Sequence, residues 1–159
     1  REAIADAGRA LAREPGRLSA RVNRSVAYLY LGQAEAKFGG DFEAALRSAI
    51  ADAEAALAAR PGFLPALGNR ASAWLSLAMA LQAHRRDAGE AFAHAERDLV
   101  AATEAGNAFA WLNLGRLRQQ LGRIDEAIEA FEKGAQRVPQ HRAWAEEQIR
   151  ALRAEKEKK

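Results

Sequence analysis

An all-α array of antiparallel helical hairpins is the fold class this sequence predicts. Three observations predict it: an apolar fraction dominated by alanine, an internal repeat at an offset of 46 residues, and helical periodicity interrupted by Pro-Gly and Gly turns.

Apolar residues make up 49% of the 159-residue chain, and 40 of them are alanine. Alanine is the strongest helix former, and its methyl group lets two backbones approach closely. Four Val, five Ile and one Thr are too few β-branched residues for sheets. With no cysteine, disulfides, zinc-thiolate sites and thiol nucleophiles are excluded. No run of 18 apolar residues reads as a membrane span, and the charged N-terminus lacks a signal-peptide core, so the chain reads as cytoplasmic. Net charge is only +3 although the pI is near 9.6. Arginine outnumbers lysine 19 to 5, and Lys156, Lys158 and Lys159 crowd a tail that reads as a frayed helix end.

The repeat is read directly from the residues. Residues 1–16, REAIADAGRALAREPG, answer residues 47–62, RSAIADAEAALAARPG. The offset continues as Asn23-Arg24, Ala27, Leu29 and Leu31 recur in Asn69-Arg70, Ala73, Leu75 and Leu77, with Trp74 for Tyr28. A third copy fades in where Ala49, Asp52 and Ala56 recur as Ala95, Asp98 and Ala102.

Turn residues then divide each unit. Pro15-Gly16, Pro61-Gly62 and Gly106-Asn107 close one helix, because proline cannot continue it and Gly or Asn suits a left-handed cap. Gly39-Gly40, Arg86 to Gly89, and Gly122 break each unit in its middle. Ser19 is expected to cap the helix after Pro15-Gly16, and Pro65 to open the next. Eight helices follow, over 1–14, 18–38, 41–59, 64–83, 90–105, 108–121, 124–137 and 140–155. Small residues are expected where paired helices cross, in two series: Ala3, Ala49, Ala95 and Ala127, then Ala10, Ala56, Ala102 and Gly134. Leu31, Leu77, Leu99 and Phe131 are expected to fill the spaces between hairpins.

Residues 108–141 resemble the tetratricopeptide repeat. Trp111, Leu114, Gly115, Leu121, Gly122, Ala127, Phe131 and Pro139 stand at the family's spacing, with departures at Arg118 for tyrosine and Gly134 for alanine. The resemblance implies a right-handed superhelical solenoid. In its register residues 1–16 are the second helix of a truncated repeat, 18–62 and 64–107 are two extended 46-residue repeats, and 108–141 is one of ordinary length. Residues 142–159 form a capping helix, with Trp144, Ile149 and Leu152 as its apolar side. The extra 12 residues of the long units are expected to lengthen both helices by about 9 Å, moving the turn to Gly39-Gly40. Starting on a lone second helix, the chain reads as part of a longer array.

The resemblance also implies a function: a scaffold binding a peptide or protein partner in a concave groove lined by the first helix of each hairpin. The groove residues it points to are Asn23, Asn69 and Asn113, with Val26 and Tyr30, Ser72, and Phe109, Leu112 and Arg116; Val22, Ser76 and Gln119 lie beside them. Asparagine suits a peptide main chain, since one amide offers a donor and an acceptor. The alternative role for these asparagines is to bond a neighbouring helix. The basic clamp that some relatives use for a C-terminal carboxylate does not carry over, because Val22, Val26, Phe109 and Asn113 stand at its positions.

Chemistry-bearing motifs are otherwise absent: no phosphate loop, nucleophile elbow or zinc helix occurs, so no enzyme activity, metal or cofactor is expected. His84, Asp87, Glu90 and His94 fall near one turn but read as solvated side chains. Asn23-Arg24-Ser25 matches a glycosylation sequon inside a helix and reads as coincidence. Arg9, Arg13, Arg17, Arg21 and Arg24 suggest a second function, nucleic-acid or acidic-partner binding. They cross the Pro15-Gly16 break without an aromatic ladder, which favours a solvated surface. A third reading is self-association through the apolar edge of the first helix.

Overall fold

The computed structural model describes residues 1–158 and holds them in two compact units, Arg1–Asp98 and Leu99 onward. The first contains α1 (Glu2–Arg13), α2 (Leu18–Phe38), α3 (Phe42–Ala59), α4 (Leu64–Ala83) and the start of α5 (Gly89–Glu104). The second continues from α5 through α6 (Ala108–Gln120), α7 (Ile124–Arg137), a 3₁₀ turn (Pro139–His141) and α8 (Arg142–Lys156). No strand occurs among the described residues, and each expected helix is present within two residues at either end. Lys159, in the expected frayed tail, lies outside the described residues.

In the first unit the chain passes from α2 to α3 through Gly39-Gly40 without a loop at 33–38, as the insertion predicts. α2 has 21 residues and α3 has 18, against 13 and 14 for α6 and α7. The pairing is antiparallel: Arg24 meets Asp52, Ser25 meets Ala49, and Gly32 lies against Leu46. Asp41 starts α3 by accepting a hydrogen bond from the Ala44 amide at 3.0 Å, the ordinary duty of an N-cap carboxylate. Ser19 does not cap α2. It falls inside the first turn, which Arg17 precedes without a side-chain cap, and its hydroxyl accepts instead from Arg17 Nε. Pro65 does occupy the first turn of α4.

Small residues seal the crossings as expected. Ala49, Ala56, Ala95, Ala102 and Ala127 have no accessible surface, whereas Ala3 is exposed and Ala10 half-buried. Gly32 and Gly134 do the same work without any methyl: a Cβ on Gly32 would stand 2.5 Å from Leu46, and one on Gly134 would overlap Leu112. Leu46, Leu77 and Leu81 fill the first unit around these crossings. In the second unit Phe131 is fully buried over Gly115, and Leu112, Ala135, Val138, Ala145, Ile149 and Leu152 complete one core. Burying a side chain the size of Phe131 stabilises by about 2–3 kcal/mol, which a single helix could not obtain alone. α8 starts at Arg142 and not at 140, because Pro139 locks the preceding residues into a 3₁₀ turn. Its Trp144 is partly exposed, edge-on to Phe131 at 5.6 Å.

α4, α5 and α6 end in one motif. The residue after the cap has positive φ, and the amide after it reaches back five residues: Arg86 to Leu81, Asn107 to Ala102, Arg123 to Arg118. Gly106 and Gly122 take that left-handed position at φ 88° and 71°, but on α4 it is filled by Arg85 at φ 56°.

Candidate interaction surface

Polar seams tie α2, α3, α4 and α5 together in the first unit, and they fix which faces remain free. Arg24 on α2 donates twice to Asp52 on α3, both at 2.6 Å, and Arg70 on α4 donates twice to Asp98 on α5, at 2.7 and 2.9 Å. Each carboxylate is buried, with side-chain exposure of 7% and 3%. The hydrogen bonds to Asp52 hold the Arg24 guanidinium above its usual pKa, outweighing the opposing effect of burial. Ser25 Oγ donates to the Ala49 carbonyl at 2.8 Å, a bond sealed from solvent.

These pairs change the reading of the arginine stripe. Arg24 belongs to an internal bridge, Arg9 pairs with Asp6, and Arg21 donates to the Pro15 carbonyl at 3.0 Å. The sequence carried a signal for the bridges: Arg24 and Asp52 both recur at the 46-residue offset, so an acid and a base drift together. In the second unit the corresponding residues are Leu114 and Ala130, both buried, so the same crossing is made there without charge.

The expected groove residues separate into three groups. On α2, Asn23 is exposed, Val26 half-buried, and Tyr30 two-thirds exposed. On α4, Asn69 is half-buried and its amide nitrogen donates to the Val22 carbonyl at 3.3 Å, linking α4 to α2; Ser72 is also half-buried. Gln33 Nε2 donates to Ser76 Oγ at 2.9 Å and closes the same seam one helix turn pair further on. On α6, Phe109 is half-exposed and edge-on to His141 at 5.6 Å, Arg116 is exposed, and Asn113 is half-buried. Leu112 needs correction. It is 6% exposed and belongs to the second unit's core, because Gly134 on α7 leaves the space its branched end fills.

His84, Asp87 and Glu90 are exposed, as the solvated-turn reading expects, whereas His94 is half-buried. His94 stacks on Trp74 at 4.5 Å and His84 on Phe42 at 5.0 Å, each ring lying nearly parallel to its partner. Glu43 joins the turn after α4 to α3, accepting from Arg47 at 3.0 Å and from Arg86 at 2.7 Å. Those two hydrogen bonds hold the Glu43 carboxyl below the usual glutamate value.

Among the clefts beside these elements, two lie between neighbouring helices. One of about 620 Å³ lies between α1 and α2 and is lined by Ala3, Asp6, Ala7, Ala10, Asn23 and Tyr30 among others. The other, about 470 Å³, lies between α7 and α8, where Glu132, Glu146, Arg142 and Arg153 give it a charged wall. The tetratricopeptide repeat family model matches residues 110–141, the span of α6, α7 and the 3₁₀ turn. The chain carries a tetratricopeptide repeat. Tetratricopeptide repeats generally mediate protein–protein interaction and typically catalyse nothing. No curated protein matches the chain. No described helix is long and apolar enough to cross a membrane.

Proposed function

We propose that the chain is a scaffold module in which the first helices of each unit present a peptide-binding face. In the first unit it consists of Asn23, Val26, Tyr30 and Ser72 on α2 and α4; in the second it consists of Phe109, Asn113 and Arg116 on α6. The observation that carries the reading is the exposure of two large aromatic side chains on first helices, Tyr30 at 66% and Phe109 at 49%. Large aromatic residues left in water are the residues from which binding energy is most often drawn. Asn69 contributes less than the sequence suggests, since one of its amide hydrogens already serves the Val22 carbonyl. The partner is a polypeptide, and the compartment that fits this reading is the cytoplasm.

Selection of peptides from a random display library on the full chain tests the reading. Bound sequences are expected to lose at least tenfold in affinity with Tyr30→Ala or Phe109→Ala, about 1.4 kcal/mol, and to ignore Arg97→Ala. Selected peptides whose affinity is unmoved by both aromatic substitutions would sink it.

A further inference from the structure

Away from α1 and α8, the first unit encloses a cavity of about 140 Å³ among α3, α4, the turn after α4 and the start of α5. At ~30 Å³ for each molecule of liquid water, it has room for about five waters or one small solute. Its floor is apolar. α4 supplies Leu77 and Leu81, both buried, and Trp74, half-buried. His94 stacks on the Trp74 indole at 4.5 Å and holds that ring in place.

The wall above this floor has two poles of opposite sign. Arg47 and Arg86 form the first, because Arg86 sends its guanidinium from the turn to Glu43 on α3 at 2.7 Å, where Arg47 also donates at 3.0 Å. Two guanidiniums offer more N–H donors than one carboxylate accepts, so this pole keeps a net positive charge and spare donors. Asp87 and Glu90 form the second pole at the start of α5. Asp87 is fixed there by accepting from the Gly89 amide at 2.9 Å, and Glu90 lies 3.5 Å from His94. Among the described residues no ion pair joins the two poles.

We propose that this cavity binds a small α-amino acid as its zwitterion. The carboxylate takes the spare donors of Arg47 and Arg86, whose planar forks match a carboxylate. The ammonium meets Asp87 and Glu90, and a side chain of alanine's size lies on Leu77, Leu81 and Trp74. A lone anion would leave the acidic pole unmatched, and a lone cation would leave the arginines unmatched; a solute of both signs satisfies each. This site rests on the cavity and its charges and not on the peptide-binding face.

The indole N–H signals of Trp74, Trp111 and Trp144 in the ¹⁵N-labelled full chain test it, Trp74's being the one lost in Trp74→Phe. L-Alanine should shift the Trp74 signal alone, saturating with a dissociation constant of about 1 mM. N-Acetyl-L-alanine lacks the ammonium and L-alaninamide lacks the carboxylate, and each should bind at least tenfold more weakly. Asp87→Asn combined with Glu90→Gln should weaken L-alanine at least tenfold and leave helical ellipticity unchanged, since both residues are exposed. Arg86→Gln should weaken it similarly. No Trp74 shift with L-alanine up to about 20 mM overturns the site. Sodium acetate or methylammonium chloride binding as tightly as L-alanine overturns the zwitterion in favour of a simple ion. Equal movement of all three indole signals shows unspecific association and overturns the site as well.

Discussion

Replacing Arg70 by leucine and Asp98 by alanine together should leave the protein as stable as it is now, although either change alone should be severe. The second unit supplies the template, since Leu114 and Ala130 occupy the matching positions there and are both buried. Asp98 has a side-chain exposure of 3% and Arg70 one of 21%. Removing one member of a buried ion pair costs about 3–5 kcal/mol, because the other charge is left desolvated and alone. For Asp98→Ala the lower end, about 3 kcal/mol, is appropriate, since a fifth of Arg70 still reaches water. Arg97, exposed and 3.7 Å from Asp98, adds little to that figure. Arg70→Leu alone strands the carboxylate, which is more deeply buried, and should cost about 4 kcal/mol. In the double variant the leucine gains apolar burial and no charge remains, so the net change should fall within about 1 kcal/mol of zero. The coupling energy is then about 7 kcal/mol in magnitude, far outside the additive range. Urea melts of the four proteins at neutral pH, followed by helical ellipticity, would measure it. A double variant whose loss equals the sum of the singles would show no coupling, and would refute the reading that each single loss comes from stranding the other charge.

Arg85→Gly should stabilise by about 0.5–1 kcal/mol in a thermal melt, because it relieves a left-handed residue in the motif that glycine fills after α5 and α6. Gly32→Val should destabilise by about 3 kcal/mol, since its Cβ would stand 2.5 Å from the Leu46 side chain and 3.2 Å from the Leu46 backbone nitrogen. Glu43 titrates below the usual 4.5 when folded, so its contribution is full above that value and disappears as the pH falls through the depressed one. Glu43→Gln should therefore remove part of the acid sensitivity below pH 4.5 and raise tryptic cleavage after Arg85 and Arg86 severalfold at neutral pH.

Helix positions and the hairpin at Gly39-Gly40 were written in the chain, because alanine content, apolar spacing and turn residues are local signals. Arg85 shows the limit of such signals: its left-handed backbone is set by the hydrogen bonds ending α4, and nothing in an Arg-Arg dipeptide announces it. Ser19 shows a second limit, since a residue suited to capping does so only if the helix begins just after it.

The sequence by itself determined the all-helical class, the repeat and the small residues at the crossings. Only tertiary structure decided what the polar residues do. Arg24 looked like one of five surface arginines until α3 brought Asp52 within 2.6 Å, and Asn69 could serve a groove or a neighbouring helix until α2 offered the Val22 carbonyl. Leu112 passed from groove to core because Gly134, 22 residues later, left room for it. The reason is physical. Helix formation depends on neighbours in sequence, whereas the partner of a charge, an amide or a branched side chain is chosen by whichever helix packs against it.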